Sequence, residues 1–517
     1  MTSAHLTTSD RTVAGAAAGP RHWAALVVLM LPVLLVSVDN TVLAFAVPGI
    51  AEALQPSGAQ QLWIVDVYPL VLAGLLVAMG SLGDRIGRRR LLLIGATGFA
   101  AVSVLAAYAP SAAWLIVARA ALGIFGAMLM PSTLSLLRNI FHDPDQRRLA
   151  IAVWASCFAA GAALGPIVGG FLLEHAWWGS VFLLAVPVLV PLLVLAPIFV
   201  PESKDPAPGR IDVVSIALSM LALAPVAYAI KNLAHGGSAV QTVVPALVAV
   251  TATVLFVRRQ LRRPDPMLDV RLFTVRVFSG AVAVNLLSVF SLVGFLFFVS
   301  QHLQLVIGLG PMRAGTALVP GLAVMVVSGL AVVPLVRWLR PSTIIVAGLL
   351  LSATAYTVVL VCASPTALTP IIVAFALLGA GIGATETLSN DLIVSSAPAE
   401  KAGAASAVSE TAYEMGAVLG TAVLGSILTA SYAANLVLPA GLDADAEATA
   451  RDTLGGAHAV AEGLPADQAS SLLAAAGEAF DSGVTATAGI GAILALAAAA
   501  VAWTVLRPRT AGDDRGR

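Results

Sequence analysis

The chain has 517 residues, 59% hydrophobic and only 11% charged, and its 28 basic and 28 acidic side chains give a formal net charge of zero. A soluble domain carries about 25% charge, so a water-soluble enzyme is excluded and no nucleic-acid partner is expected. Apolar stretches of roughly 20 residues, each long enough to cross a bilayer as a helix, recur along the whole length. The fold class is an all-α polytopic membrane protein.

The first 22 residues are polar and lack an apolar core or a small-residue cleavage site, so no signal peptide is expected. Spans are predicted near 24–46, 60–82, 91–108, 113–137, 150–173, 180–200, 213–232, 241–257, 278–300, 313–335, 342–362, 368–387, 403–430 and 484–506, fourteen in all. An even count puts both termini on one side. Arg85, Arg88, Arg89 and Arg90 follow span 2, and Arg138, Arg147 and Arg148 follow span 4. Six arginines between Arg258 and Arg276 follow span 8, whereas the opposite side holds only Lys231, Arg313 and Arg451. Basic loops stay inside, which predicts cytoplasmic termini and a multi-pass protein of the bacterial plasma membrane.

The organisation read from this pattern has a cytoplasmic tail (1–23), a six-helix bundle (24–200) and two inserted helices with their loops (201–277). A second six-helix bundle (278–506) and a cytoplasmic tail (507–517) follow. "GAALG" at 161–165 in span 5 is echoed by "GAVLG" at 416–420 in span 13, as expected if the two bundles are repeats. Paired halves with a site between them are how secondary transporters are built. Segment 431–483 is read as an extracellular insertion, within which 465–480 has the pattern of an amphipathic helix lying outside the bilayer. Cys157 and Cys362 both fall in spans, so no disulfide framework is expected, and no metal or cofactor motif is visible.

Three motifs carry a gating reading. "GDRIGRRR" (83–90) sits in a short cytoplasmic loop, where Gly83 and Gly87 permit a tight turn. Asp84, in the motif with Arg85 and Arg88, can pair with an arginine or face a neighbouring helix N-terminus, as a breakable latch. Arg119 lies within span 4, at a cost of about 2.5–3.5 kcal/mol unless it is paired, hydrated or snorkels to the interface. "GAALGPIVGG" (161–170) places Gly161, Gly165 and Gly169 on one helix face suited to close backbone approach, with Pro166 removing a backbone hydrogen bond.

These motifs, in this order, resemble those of the drug:proton antiporters of the major facilitator superfamily. The resemblance implies two six-helix bundles plus two inserted helices, and its glycine–proline helix is the mark of exporters. "VDNTVLAFAVP" (38–48) and "WIVDVYPLVLAG" (63–74) are similar to segments of actinobacterial exporters of quaternary ammonium compounds, dyes and fluoroquinolones. Ser409 stands where some of these exporters have a further acid, which weakens the case for divalent cations.

The acids supply the mechanism. Asp39 and Asp66, on adjacent antiparallel spans, fall roughly 7–9 Å below the outer face at about 1.5 Å per residue. Asn40 and Tyr68 can surround them with polar groups. Glu410 and Glu414 in "SAVSETAYEMG" share a helix face beside Tyr413. Two carboxylates that close, in low dielectric, do not both ionise, so one is expected to hold a proton. Buried anions with no cation but Arg119 to balance them invite a proton or a cationic ligand. Trp154 and Phe158 are candidate cation–π partners, Trp63, Trp177 and Trp178 read as interfacial anchors, and Glu386 reads as a solvated helix end. The expected function is proton-coupled efflux of lipophilic cations such as ethidium by a monomer, powered by the proton gradient, with no catalytic residues. The alternative is export of a neutral or anionic natural product, antibiotic or lipid.

Overall fold

The computed structural model describes residues 18–56, 58–204, 212–234, 238–263, 266, 268–309, 311–362, 368–398, 401–439 and 442–506, some of them without their side chains. Among these residues every regular element is helical. The first group comprises α1 (Pro20–Leu54), α2 (Gly58–Ile86), α3 (Arg88–Ala107), α4 (Ala112–Ile140), α5 (Pro144–His175), α6 (Ser180–Leu183) and α7 (Ala185–Phe199). A hairpin follows, of α8 (Val213–Ala234) and α9 (Ala239–Arg262). The second group comprises α10 (Arg276–Gln301), α11 (Pro311–Leu335), α12 (Pro341–Cys362), α13 (Leu368–Ser396), α14 (Ala402–Asn435), α15 (Ala444–Asp452), α16 (Leu454–Ala461) and α17 (Ala466–Val505).

Local chemistry sets the helix ends. Gly87, at φ 110°, breaks α2 from α3 in a conformation that disfavours any side chain. Asp143 caps α5 by accepting from the Gln146 amide at 2.9 Å, with Pro144 at the first helical position. Ser111 caps α4 through the Trp114 amide.

Twelve helices among the described residues are long and apolar enough to cross a membrane. The fifth and seventh predicted spans fall on α5 and α8, which lie outside those twelve. One apolar core is drawn from α1–α7 and a second from α10–α17. Between the groups, α5 packs on α11 and α2 on α14. The hairpin packs at the flank: α8 lies against α2 and α14, with Ile216 and Met220 on the first core, and α9 has only 17% of its apolar window buried. Asp212 fastens the hairpin at its polar end. It accepts two hydrogen bonds from Arg259 at 2.9 Å and pairs with Arg263 at 3.0 Å. Those bonds from Arg259, with help from Ser215, hold its carboxyl far below the usual carboxylate range.

The outer segment corrects the sequence reading. Residues 466–480 do not form a separate helix: they are the first turns of α17, which runs unbroken for 40 residues. Leu472, Ala476, Ala479 and Phe480 bury one face of that extension in the second core. Tyr432 donates to the Ala450 carbonyl at 2.8 Å and ties α15 back to α14.

Candidate functional site

Asp39 projects from α1 towards α4, where its Oδ2 lies 3.0 Å from Nη1 of Arg119. Arg119 is only 2% exposed and does not snorkel. Its Nε donates to the Ile64 carbonyl at 3.2 Å, and its guanidinium carbon sits 4.5 Å over the Tyr68 ring centre. One cation thus gathers α1, α2 and α4. Asp39 was expected to await neutralisation by a proton or a ligand. Its first counterion is Arg119, and any proton or ligand there competes with a guanidinium. Asp66 lies two residues before Tyr68 in α2 and Asn40 follows Asp39 in α1; their side chains, and that of Pro166, are outside those described.

Across the interface lie Glu410 and Glu414 of α14, both buried. Glu386 of α13 is buried too, at 4% exposure, which corrects its reading as a solvated end. The cause is helix length: α13 continues ten residues beyond Glu386 to Ser396, so a position that looked terminal is interior. Among the described residues neither Glu386 nor Glu410 has an ion-pair partner. Tyr413 meets the first bundle edge-on, its ring 4.9 Å from that of Phe158. Phe158 lies 6.1 Å from Trp154, whose indole donates to Thr133 at 3.1 Å. These rings form a buried aromatic bridge between bundles. Trp63 and Trp177 are exposed.

The basic-loop side is held shut by polar contacts. Asp84 takes Arg88 at 2.6 Å and also accepts from the amides of Gly403 and Ala404, the first turn of α14, at 3.0 and 3.1 Å. A carboxylate is favoured at such a helix start. Arg85, in the last turn of α2, is half-buried beside this contact, and Gly83 packs on Leu91. The helices cross at Gly80 and Gly403, where a Cβ added to Gly80 would sit 2.5 Å from the Gly403 oxygen. The glycine stripe of α5 lies on α1: a Cβ on Gly161 would meet Ser37 at 2.7 Å, one on Gly165 would overlap Thr41, and one on Gly169 would touch Val42.

Sequence reasoning passed over several members of this closure. Asp391 of α13 receives Arg147 at 3.0 Å and Arg148 at 3.1 Å from α5. Arg138 of α4 donates to the carbonyls of Val394, Ala397 and Pro398 at the end of α13. Glu202 caps α3 through the amides of Arg89 and Arg90. The available signal was the polar run "TETLSND" at 385–391 inside an apolar span.

The sequence profile of the Major Facilitator Superfamily matches residues 29–421. The chain belongs to that superfamily. It is 57% identical to the multidrug efflux pump LfrA of Mycolicibacterium smegmatis over 487 residues, 94% of this chain and 97% of the other. It is 37% identical to the methyl viologen resistance protein SmvA of Salmonella typhimurium, covering 89% of this chain and 93% of that one. A crystal structure of the human organic anion transporter MFSD10 (TETRAN) superposes with a TM-score of 0.60 at 16% identity, over 94% of this chain and all of that one. That likeness concerns the fold alone. The protein is a multi-pass membrane transporter built on the major facilitator fold.

Proposed function

We propose that this superfamily member is a proton-coupled multidrug efflux antiporter for lipophilic cations. It would work as a monomer with fourteen spans and cytoplasmic termini in the bacterial plasma membrane. The observation that carries the reading is the asymmetric charge between the bundles. Asp39 is held by Arg119 on one side, while Glu386 and Glu410 on the other have no cation among the described residues. Buried carboxylates without counterions take protons or a cationic ligand, because an isolated buried charge is expensive. If proton and cation compete for the same acids, an inward proton gradient drives the cation out. The 57% identity to a multidrug efflux pump supports the direction of transport.

The closed basic-loop side fits a state open to the outside. Asp84, Arg138 and Asp391 hold it, and the cycle requires all three to release. A ligand can shift this equilibrium only by its differential affinity for the two states. The Asp39–Arg119 pair also supports a second reading, export of a neutral or anionic compound, since it leaves no net charge there. Ethidium accumulation separates the two. Cells expressing the protein should hold less ethidium than controls, and a protonophore should abolish the difference. Equal accumulation in both would remove the cation reading.

A further inference from the structure

We propose that Glu386 is a third proton-binding carboxylate of the transport site, acting with Glu410 and Glu414. The proposal deepens the reading of proton-coupled export and rests on it.

Three observations place Glu386 there. The first is depth. Glu386 lies ten residues inside the end of α13, and Glu410 and Glu414 lie eight and twelve residues inside the start of α14. At 1.5 Å per residue these are ~15, ~12 and ~18 Å from the same side. Glu386 and Glu414 are both close enough for Glu410 to feel their charge, and Tyr413 feels all three.

The second is isolation. Among the described residues the Glu386 carboxylate accepts no hydrogen bond and joins no ion pair, though the residue is 96% buried. The charged and titratable groups on its neighbours are accounted for. From α14 come Glu410, Tyr413 and Glu414. From α5 come Cys157, Asp145, which pairs with Arg148 and Arg337, and Arg147 and Arg148, both also bound to Asp391, five residues or ~7.5 Å further along α13. From α4 comes Arg138, spent on the carbonyls that end α13. Between Arg276 and His302, α10 has no charged residue, and α11 has none between Arg313 and its end. In α12 the titratable groups are Tyr356, which donates to the Ser291 carbonyl, and Cys362 at the helix's last position.

The third is a set of polar groups continuous with the acids. Asn390 is one turn from Glu386 on the same face. It accepts from Asn285 of α10 at 3.1 Å, and Asn285 also donates to Ser409, the neighbour of Glu410, at 2.9 Å. Asn285 Oδ1 and Ser406 Oγ, one turn before Glu410, are buried without a hydrogen-bond partner. A protonated carboxyl is a donor, and these are acceptors that lack one.

Three carboxylates in one dry interface repel one another and cannot all be charged. When a lipophilic cation arrives, a carboxyl O–H releases its proton to water and the carboxylate offsets the ligand's charge. After the cation leaves outward, a proton from outside restores the O–H. Glu386 supplies one of the exchangeable protons.

The test uses full-length protein with ethidium as the probe. Wild type, Glu386→Gln and Glu386→Asp are compared for protons released per ethidium bound, for uphill efflux driven by a pH gradient, and for exchange without a gradient. Glu386→Gln should release fewer protons and lose about tenfold in uphill efflux, while exchange stays within about threefold. Glu386→Asp should restore the proton count with a shifted pH midpoint. Unchanged release and uphill efflux in Glu386→Gln, at wild-type Tm, would overturn the assignment of Glu386. If Glu386→Gln does not fold, an unmoved midpoint in Glu386→Asp overturns it instead. A wild-type protein that binds ethidium without releasing any proton would overturn the proton-coupled reading as well.

Discussion

Asp39 and Glu410 are both carboxylates on membrane-spanning helices, yet their surroundings are opposite. Asp39 has a guanidinium at 3.0 Å, itself fixed by a carbonyl and a tyrosine ring. Glu410 has two further glutamates and a tyrosine around it, and no cation among the described residues. A paired ion is structural when nothing else is bound, because removing either partner strands a buried charge. An acid among acids does the reverse: its charge is a burden that a proton relieves. On the proposed reading, one bundle keeps its charge and the other trades it.

The largest expected effect tests that opposition directly. Arg119→Ala strands Asp39, and breaking one side of a buried pair costs roughly 3–5 kcal/mol. Folded yield and Tm should fall sharply, and ethidium efflux should be lost. Glu410→Gln replaces a buried carboxyl that must be protonated or uncompensated, so Tm should hold or rise even as proton-driven efflux declines. Thermal melts of both variants in one detergent decide the matter, and shifts of the same sign would break the comparison. Next in size is Gly165→Val, which drives side-chain atoms into Thr41 and levers α1, with Asp39, off its register. Overpacking of this kind costs about 1–3 kcal/mol, and efflux should fall at unchanged surface expression.

Asp84→Asn keeps the shape of the latch but weakens its bonds to Arg88 and to the α14 amides. Turnover should drop about tenfold with affinity for ethidium within about twofold, a loss confined to kcat. An equal loss of affinity would mean that the latch reaches the binding acids. The smallest effect concerns Asp212. Its carboxyl is depressed, so the stability it lends is fully present above the unfolded value of about 3.9 and fades only as pH falls below it. Melting curves between pH 5 and pH 8 should therefore show no step from the hairpin, whereas Asp212→Asn should lower Tm at every pH in that window.

Much of the fold was legible because apolar length is a strong signal, but it marks only the part of a helix that meets lipid. Hence α1 was read as 24–46 and is Pro20–Leu54, and α13 was read as ending at 387 and ends at Ser396. That shortfall hid Glu386. Counting residues placed Asp39 and Arg119 both near the outer side, yet their contact spans 80 positions and depends on how α1 and α4 pack. The repeat and the latch residues were visible as spacing. Arg138, Arg147 and Arg148 were read only as topology signals, because their partners are backbone carbonyls and an aspartate more than 240 positions away. The segment 465–480 and the span at 484–506 were read as separate helices, but α17 runs through both.

The crossing of Gly80 and Gly403 has a consequence for speed. Interlocked side chains must change rotamer before two helices can part, and each change adds friction to the motion. Here the backbones of Gly80 and Gly403 meet with only small side chains such as Ala407 beside them, so little has to be unthreaded before the surfaces part. Resistance to opening is then concentrated in a few hydrogen bonds around Asp84 and Arg138, at the basic-loop end of the helices. The tempo of the cycle becomes a matter of electrostatics, open to tuning by salt and by charged headgroups at that surface, rather than of how tightly the core is packed.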